Sequence, residues 1–262
     1  MPTEKPSVSL FIFAHPDDEF FCLPFIECEC KKGKRVLCAY LTDGAYGGQS
    51  SDRRMRESLG VLKHCGVEFA NVFFPGVQLN IPDGQLHLHA YRAYQQLQHI
   101  TNHLVIANIY VPAWEGGHQD HDACHVIGIA LAAATGSPQL RQFALYNGSS
   151  GVLPFTVMCP LKQNGPASIL RIGLSEAFKH LSRVCSYPSQ WRTWLGLFPF
   201  AALVVLTRRS YALQDISVAR IRQRPHEGRL LYERRAKMDF PEVRDALLRL
   251  IDQASSGPLG KL

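Results

Sequence analysis

The chain has 262 residues, 46% of them apolar and 19% charged, which is usual for a globular protein of one domain with a sizeable core. The formal net charge of +6 slightly favours anionic partners, but it is too small to indicate binding to nucleic acid. The longest apolar stretch, 195–206, is too short to span a bilayer and contains Pro199, so we expect a core segment or a membrane-surface contact there.

The first half of the chain alternates predicted strands with predicted helices. Apolar runs predict strands at 8–14, 35–41, 71–74, 104–111 and 141–146, and apolar periodicity predicts helices at 19–32, 53–65, 86–103 and 122–134. This alternation is typical of a mostly parallel sheet covered on both faces, so we expect an α/β protein with a Rossmann-like, three-layer α/β/α fold. Right-handed crossovers place the polar loops at the C-terminal edge of the strands.

The second half gives weaker signals. Helices are predicted at 175–183 and 241–253, an aromatic-rich loop or helix start at 187–194, and a strand or a helix at 202–206. We therefore expect one domain over 1–262, with a core over about 7–190 and less regular structure over 191–262.

The first strand ends in three ionisable side chains, His15, Asp17 and Asp18. Pro16 ends the strand pairing because it has no N–H to donate. Carboxylates beside an apolar core are costly to bury unless a cation or hydrogen-bond donors offset their charge, and a divalent metal would do so. Taken alone, the stretch is also compatible with a capped turn, in which an aspartate accepts N–H bonds from the next helix.

A second polar loop, 114–121, follows a later strand and contains His118 and His121. If both loops share one sheet edge, two imidazole nitrogens and a carboxylate can meet there, and such a set suits catalytic zinc with one open position. Zinc lowers the pKa of its bound water to about 7. Asp17 is then placed to act as the base, and His118 to donate a hydrogen bond to an oxyanion.

The sequence resembles the zinc-dependent N-acetylglucosaminyl deacetylases, the PIG-L or LmbE-like family. Two long motifs carry the resemblance, Ala14-His15-Pro16-Asp17-Asp18-Glu19 and Gly117-His118-Gln119-Asp120-His121, the second with Gln119 where the family motif has proline. Shorter motifs extend it over about 8–190, namely Leu41-Thr42-Asp43-Gly44, Arg54-x-x-Glu57, and Lys179 followed by Tyr187-Pro188-Ser189-Gln190.

The resemblance implies a zinc-dependent N-deacetylase that removes acetyl from an N-acetylglucosamine-type conjugate. It implies zinc, or else Fe²⁺ or another divalent metal, on His15, Asp18 and His121. It also implies Asp17 as general base and then acid. His118 would donate to the oxyanion, and Asp120 would hold the His118 imidazole. The alternative is an amidase that uses the same site on another N-acyl substrate, such as a thiol–sugar conjugate or a secondary metabolite.

Some residues near these motifs keep two interpretations. Asp43, at a strand end, either caps a turn or contacts a sugar hydroxyl. Arg54 either forms a helix ion pair with Glu57 or lies at the edge of the active site. Asp43 and Arg54 are thus candidate substrate-binding residues. We interpret His125 as an ordinary helix histidine rather than a metal ligand.

Other function classes fit less well. The turn after the first strand lacks G-x-G-x-x-G, which argues against a dinucleotide-binding oxidoreductase. The full set of ligands and base argues against a catalytically silent binding module. We expect an amino sugar substrate, with an anionic carrier favoured by the basic C-terminal part, and neither nucleic acid nor a transmembrane segment. Eight cysteines without a C-x-x-C pair, and no visible signal peptide, favour a cytoplasmic location.

Overall fold

The computed structural model describes residues 7–48, 50–136, 138–149, 155–236 and 238–256. The strands in these ranges are β1 Val8–Phe13, β2 Arg35–Tyr40, β3 Val72–Phe73, β4 Ile106–Pro112, β5 Gln139–Phe143, β6 Tyr146–Asn147, β7 Thr156–Val157, β8 Ala167–Arg171 and β9 Ser210–Asp215. The α-helices are α1 Leu23–Lys31, α2 Ser51–His64, α3 Pro75–Gln78, α4 Leu86–Thr101, α5 Gln119–Ala134, α6 Leu174–Ser182, α7 Trp191–Arg208, α8 Leu231–Arg235 and α9 Phe240–Ser256.

The main sheet of the described residues has the strand order β3-β2-β1-β4-β5-β9-β8. Neighbouring strands from β3 to β5 pair in parallel, whereas β9 pairs antiparallel with both β5 and β8. Strands β6 and β7 form a separate antiparallel pair. The prediction of a mostly parallel sheet is confirmed.

Side chains of β1 alternate between two apolar cores. Leu10 and Ile12 pack with residues of α4, α5 and α9, while Phe11 and Phe13 pack with residues of α1, α2, α6 and α7. All of β1 is buried, as expected for a strand covered on both faces. The predicted three-layer α/β/α architecture is therefore confirmed.

The strand order explains where a site can form. Strand β1 lies between β2 and β4, so the chain leaves β1 toward one side of the sheet and reaches β4 on the other. The loops after two such neighbouring parallel strands diverge, and the crevice between them is the usual ligand site of an open α/β sheet. The two predicted polar loops follow these two strands.

The later part of the chain is more regular than the sequence suggests. The segment 202–206, predicted as a strand or a helix, lies within α7, and Pro199 is inside that helix. Strands β8 and β9 were not predicted, although β9 inserts between β5 and β8 in the main sheet. The helix predicted from residue 19 begins as a 3-10 turn, Asp18–Cys22. None of the described helices has the length and hydropathy that a membrane crossing requires.

Candidate metal centre and active site

The turn after β1 folds back on itself through Asp18. The Oδ2 atom of Asp18 accepts the backbone N–H groups of Ala14 at 3.0 Å and His15 at 2.8 Å. Its Oδ1 atom lies 3.1 Å from Nε2 of His121, at the start of α5. One carboxylate therefore closes the first turn and joins it to the second.

Asp17 has an uncommon backbone conformation. Its φ of 112° lies in the left-handed region, which disfavours residues with a Cβ. The Asp17 N–H donates to Oε2 of buried Glu19 at 2.9 Å, and the hydroxyl of Tyr187 donates to Oε1 of the same carboxylate at 3.0 Å. Glu19 and Tyr187 thus hold the backbone that presents Asp17.

Arg54 joins α2 to the same turn. The buried guanidinium donates from Nη2 to Oδ1 of Asp17 at 3.1 Å and to the Pro16 carbonyl at 2.6 Å. It also donates from Nη1 to the Gly44 carbonyl at 2.5 Å. Burial raises the pKa of Asp17 to about 7, against the opposing effect of the Arg54 charge. A carboxyl group with such a pKa can take up and release a proton near neutrality.

The Arg54-x-x-Glu57 motif is not an ion pair. Glu57 instead lies 3.2 Å from the Arg53 guanidinium and accepts the backbone N–H and the hydroxyl of Ser189, at 3.1 and 2.5 Å. The two motif residues thus make separate connections, Arg54 to the turn after β1 and Glu57 to the turn at 187–190.

His121, His15 and Asp18 form a cluster whose potential ligand atoms lie within 4.8 Å of one another. All three residues are buried, and Nδ1 of His121 has no hydrogen-bond partner in the described structure. Two imidazole nitrogens and one carboxylate oxygen, drawn from two loops, are the donor set of a catalytic zinc site. The residues present therefore fit a divalent metal.

The charges around His15 also favour a cation. Burial opposes the charged imidazole, but Asp83, Asp120 and Asp18 outweigh it and raise the pKa of His15 well above its ordinary value. Nε2 of His15 lies 3.3 Å from Asp83 and 3.2 Å from Asp120. Such a concentration of buried carboxylates is costly unless positive charge is present.

His118 is the N-cap residue of α5. Its Nδ1 atom accepts the backbone N–H of Asp120 at 3.2 Å, so the ring proton of the neutral side chain is on Nε2. Burial and the neighbouring charge of His15 lower the pKa of His118 to about 4. His118 is therefore a neutral hydrogen-bond donor at neutral pH, and its ring centroid lies 4.8 Å from that of His15.

The contacts of Asp120 differ from the prediction. Its carboxylate lies 4.0 Å from Nδ1 of His118 but 3.2 Å from Nε2 of His15, so it is the Asp120 backbone that holds the His118 ring. The same carboxylate accepts the N–H groups of Gly84 at 2.6 Å and Leu86 at 2.9 Å. A carboxylate behind a ligating histidine is a common means of fixing the ring orientation at metal sites.

Sequence reasoning missed Asp83. The Pro82-Asp83-Gly84 stretch is typical of a surface turn and gives no metal-site signal. Asp43 brings this turn to the site, because its Oδ1 accepts the N–H groups of Ala45 at 2.9 Å and Asp83 at 3.1 Å. Asp43 thus caps loops, which is one of its two predicted roles.

His125 and His87 are also buried, outside the cluster of His15, Asp18 and His121. Nδ1 of His125 donates to the Pro112 carbonyl at 3.1 Å, and His125 is in neither group of potential metal ligands found among the described residues. The second of these groups combines His15 with Asp83, His118 and Asp120. His87 is 3% exposed because it lies on the inner face of α4.

The segment that contains both motif loops matches a known family. Residues 10–132 match the PIG-L family, described as GlcNAc-PI de-N-acetylase. The resemblance to the PIG-L family that the sequence motifs indicate is therefore confirmed over this segment. The matched residues include most of β1 and all of β2, β3 and β4. No curated protein sequence is significantly similar to the chain.

Solved structures share the fold of this chain. The zinc-inhibited form of teicoplanin deacetylase Orf2 has a TM-score of 0.63 at 13% identity, covering 80% of this chain and 98% of its own. The N,N'-diacetylchitobiose deacetylase from Pyrococcus horikoshii has a TM-score of 0.58 at 15% identity, covering 79% and 83%. The 4-carboxy-2-hydroxymuconate hydratase GalB from Pseudomonas putida KT2440 has 0.51 at 15%, covering 81% and 96%. The last example shows that this fold hosts more than one reaction.

Proposed function

We propose that this protein is a zinc-dependent N-deacetylase that hydrolyses the acetamide of an N-acetylglucosamine-type conjugate. The observation that carries the proposal is the meeting of His15, Asp18 and His121 beside Asp17, at the crevice between β1 and β4. The PIG-L match over 10–132 supports it, since that family is described by de-N-acetylation of an N-acetylglucosamine lipid.

Each protein group has a role in this reaction. A bound divalent ion would polarise the acetamide carbonyl and lower the pKa of the attacking water. Asp17 takes the proton of that water as its oxygen bonds to the carbonyl carbon. His118 donates from Nε2 to the oxygen on which negative charge develops. Asp17 then gives its proton to the nitrogen as the C–N bond breaks, which leaves acetate and a free amine.

The residues around this set act as supports in the proposed reaction. Arg54 holds one oxygen of Asp17, and Asp120 holds the ring of His15. Asp43 and Arg54 stay proposals as substrate contacts, and their existing bonds favour a positioning role for both. Asp83 is half-buried and therefore still partly accessible, which makes it the better candidate for contact with a sugar hydroxyl.

The experiment measures metal content and acetate release on the same purified protein. Wild type is expected to contain about one zinc ion per chain and to release acetate from an N-acetylglucosamine conjugate. We expect His121→Ala to lose both, and Asp17→Asn to keep the metal but lose activity by about 10²- to 10⁴-fold. Exposed His103→Ala and Asp52→Asn serve as matched controls.

Two results would reject the proposal. One is full activity in Asp17→Asn, and the other is stoichiometric metal with full activity in His121→Ala. A panel of N-acyl substrates scored for free amine separates the proposed substrate from the alternative, in which another amide, such as that of a secondary metabolite, is cleaved at the same site.

A further inference from the structure

Helix α7 has an apolar surface that nothing in the described structure covers. Its inner face, formed by Trp194, Leu197, Ala201 and Val205, is buried in the core. Its outer face is apolar as well, with Leu195 71% exposed and Leu203 62% exposed. Helices of soluble proteins are normally polar on the side that faces water, and an apolar outer face usually marks an interaction surface.

Cationic residues lie at both ends of α7. Trp191 and Arg192 are exposed in the first turn, with the Arg192 guanidinium 5.4 Å from the Trp191 ring centroid. At the other end, exposed Arg208 and Arg209 follow exposed Leu206. Helix α7 contains no acidic residue, and none of these three arginines forms an ion pair within the described residues.

Arg171, at the end of β8, adds a third arginine to Arg208 and Arg209 at the C-terminal end of α7. Arg209 has a left-handed conformation, with φ of 46°, and its carbonyl accepts the N–H of Ile172 at 2.9 Å. This bond brings the end of β8 beside the end of α7, so exposed Arg171 lies next to the arginine pair. Helix α7 thus ends in a cluster of like charges.

We propose that the outer face of α7 binds the surface of an anionic lipid bilayer. An interfacial helix has an apolar face that enters the headgroup boundary, with basic residues that attract anionic lipid and an aromatic residue at the rim. Helix α7 has 18 residues and does not meet the requirements of a membrane crossing, which fits a helix lying in the membrane plane. The buried face of the same helix contacts the turn that follows β1, since the Trp194 ring centroid lies 4.5 Å from that of Phe20.

The charges disfavour a second copy of the chain as the partner. Two α7 faces packed in either direction would bring arginines of one copy toward arginines of the other, since both ends of the helix are cationic. An anionic membrane offers opposite charge to both ends at once. This inference does not depend on the proposed deacetylase activity.

The test is binding of the full chain to vesicles of phosphatidylcholine, with and without phosphatidylglycerol, followed by cosedimentation and tryptophan emission. Trp114 and Trp194 are buried, so a blue shift reports on exposed Trp191. Wild type is expected to bind the anionic vesicles at low salt and to bind neutral ones much more weakly. Leu195→Ser with Leu203→Ser should weaken binding by about tenfold or more. Arg192→Gln and Arg208→Gln should each weaken it roughly fivefold.

Matched controls are Leu88→Ser, on exposed α4 surface, and Arg56→Gln, an exposed arginine of α2. Both should bind as wild type does, and thermal unfolding checks that every variant is folded. The proposal is overturned if wild type does not bind anionic vesicles, or if the double serine variant binds equally well. It is also overturned if wild type is a dimer in sedimentation velocity that the double variant converts to a monomer, without vesicle binding.

Discussion

The two loops that form the candidate site are held in different ways. In the turn after β1, Asp17 is fixed by Arg54 from α2 and, through Glu19, by Tyr187 from much later in the chain. In the loop after β4, buried Glu115 accepts the N–H groups of Leu145 at 2.7 Å and Tyr146 at 3.0 Å.

The second loop is supported mainly through backbone. Oδ1 of Asp122 accepts the N–H groups of Glu115 and Gly116, at 3.3 and 3.2 Å. A Cβ at Gly117 would lie 1.9 Å from the Tyr146 carbonyl oxygen, so the chain passes there without room for a side chain. The supports of the first turn hold the side chain and the backbone of Asp17, a proposed catalytic residue, whereas those of the second bind residues that have no proposed part in the reaction. Damage to the first should lower both the reaction rate and the stability, and damage to the second should lower the stability alone.

The largest effect is expected from Arg54→Gln. The change leaves Asp17 without its cation and two buried carbonyls without their donor, which should cost about 3–5 kcal/mol of unfolding free energy. We also expect kcat to fall by about 10²-fold, since the proposed base is no longer held. Urea unfolding measures the unfolding free energy, and acetate release measures kcat. Arg53→Gln is the control, because its exposed pair with Glu57 should contribute less than about 1 kcal/mol.

Glu115→Gln tests the second loop. Glutamine offers one acceptor oxygen and an NH₂ group that would face the amide of Asn147, so we expect a loss of about 1–3 kcal/mol in unfolding free energy. The kcat should stay within about twofold, because Glu115 holds backbone and not a reacting group. Exposed Glu68→Gln should change neither quantity. A large fall in the kcat of Glu115→Gln with little loss of stability would show that the second loop supports the reaction directly, contrary to the comparison.

The smallest effect is expected from Tyr187→Phe. Loss of its hydroxyl removes one of the bonds to Glu19 and should lower the unfolding free energy by about 0.5–1.5 kcal/mol. Because Glu19 holds the Asp17 backbone, kcat should fall more than it does in Glu115→Gln, although the stability loss is smaller. Exposed Tyr46→Phe is the matched control. Equal kcat values for Tyr187→Phe and Glu115→Gln would mean that the supports of the two loops do not differ in their effect on the reaction.

The parallel part of the fold was predictable because burial on both faces makes its strands continuous apolar runs, as in β1. Strand β8 is mostly exposed at the sheet edge and β9 mixes polar with apolar residues, so neither gives such a run. Helix α7 is apolar on all sides, which removes the periodicity that distinguishes a helix from a strand.

The candidate site was predictable where sheet topology alone determines proximity. His15, Asp18 and His121 follow neighbouring parallel strands and therefore had to lie at one edge. Asp83 was not predictable, because bonds from Asp43 and Asp120 bring its loop to the site and no local pattern encodes them.

The strand order also bears on how the chain assembles during synthesis. Strand β8 leaves the ribosome before β9. Because β9 is the strand that pairs β8 with the rest of the sheet, β8 is unpaired until β9 has been synthesised. Tyr187 emerges in that same interval. A nascent chain that has completed α5 therefore already possesses every proposed metal ligand but lacks the phenol that steadies Glu19.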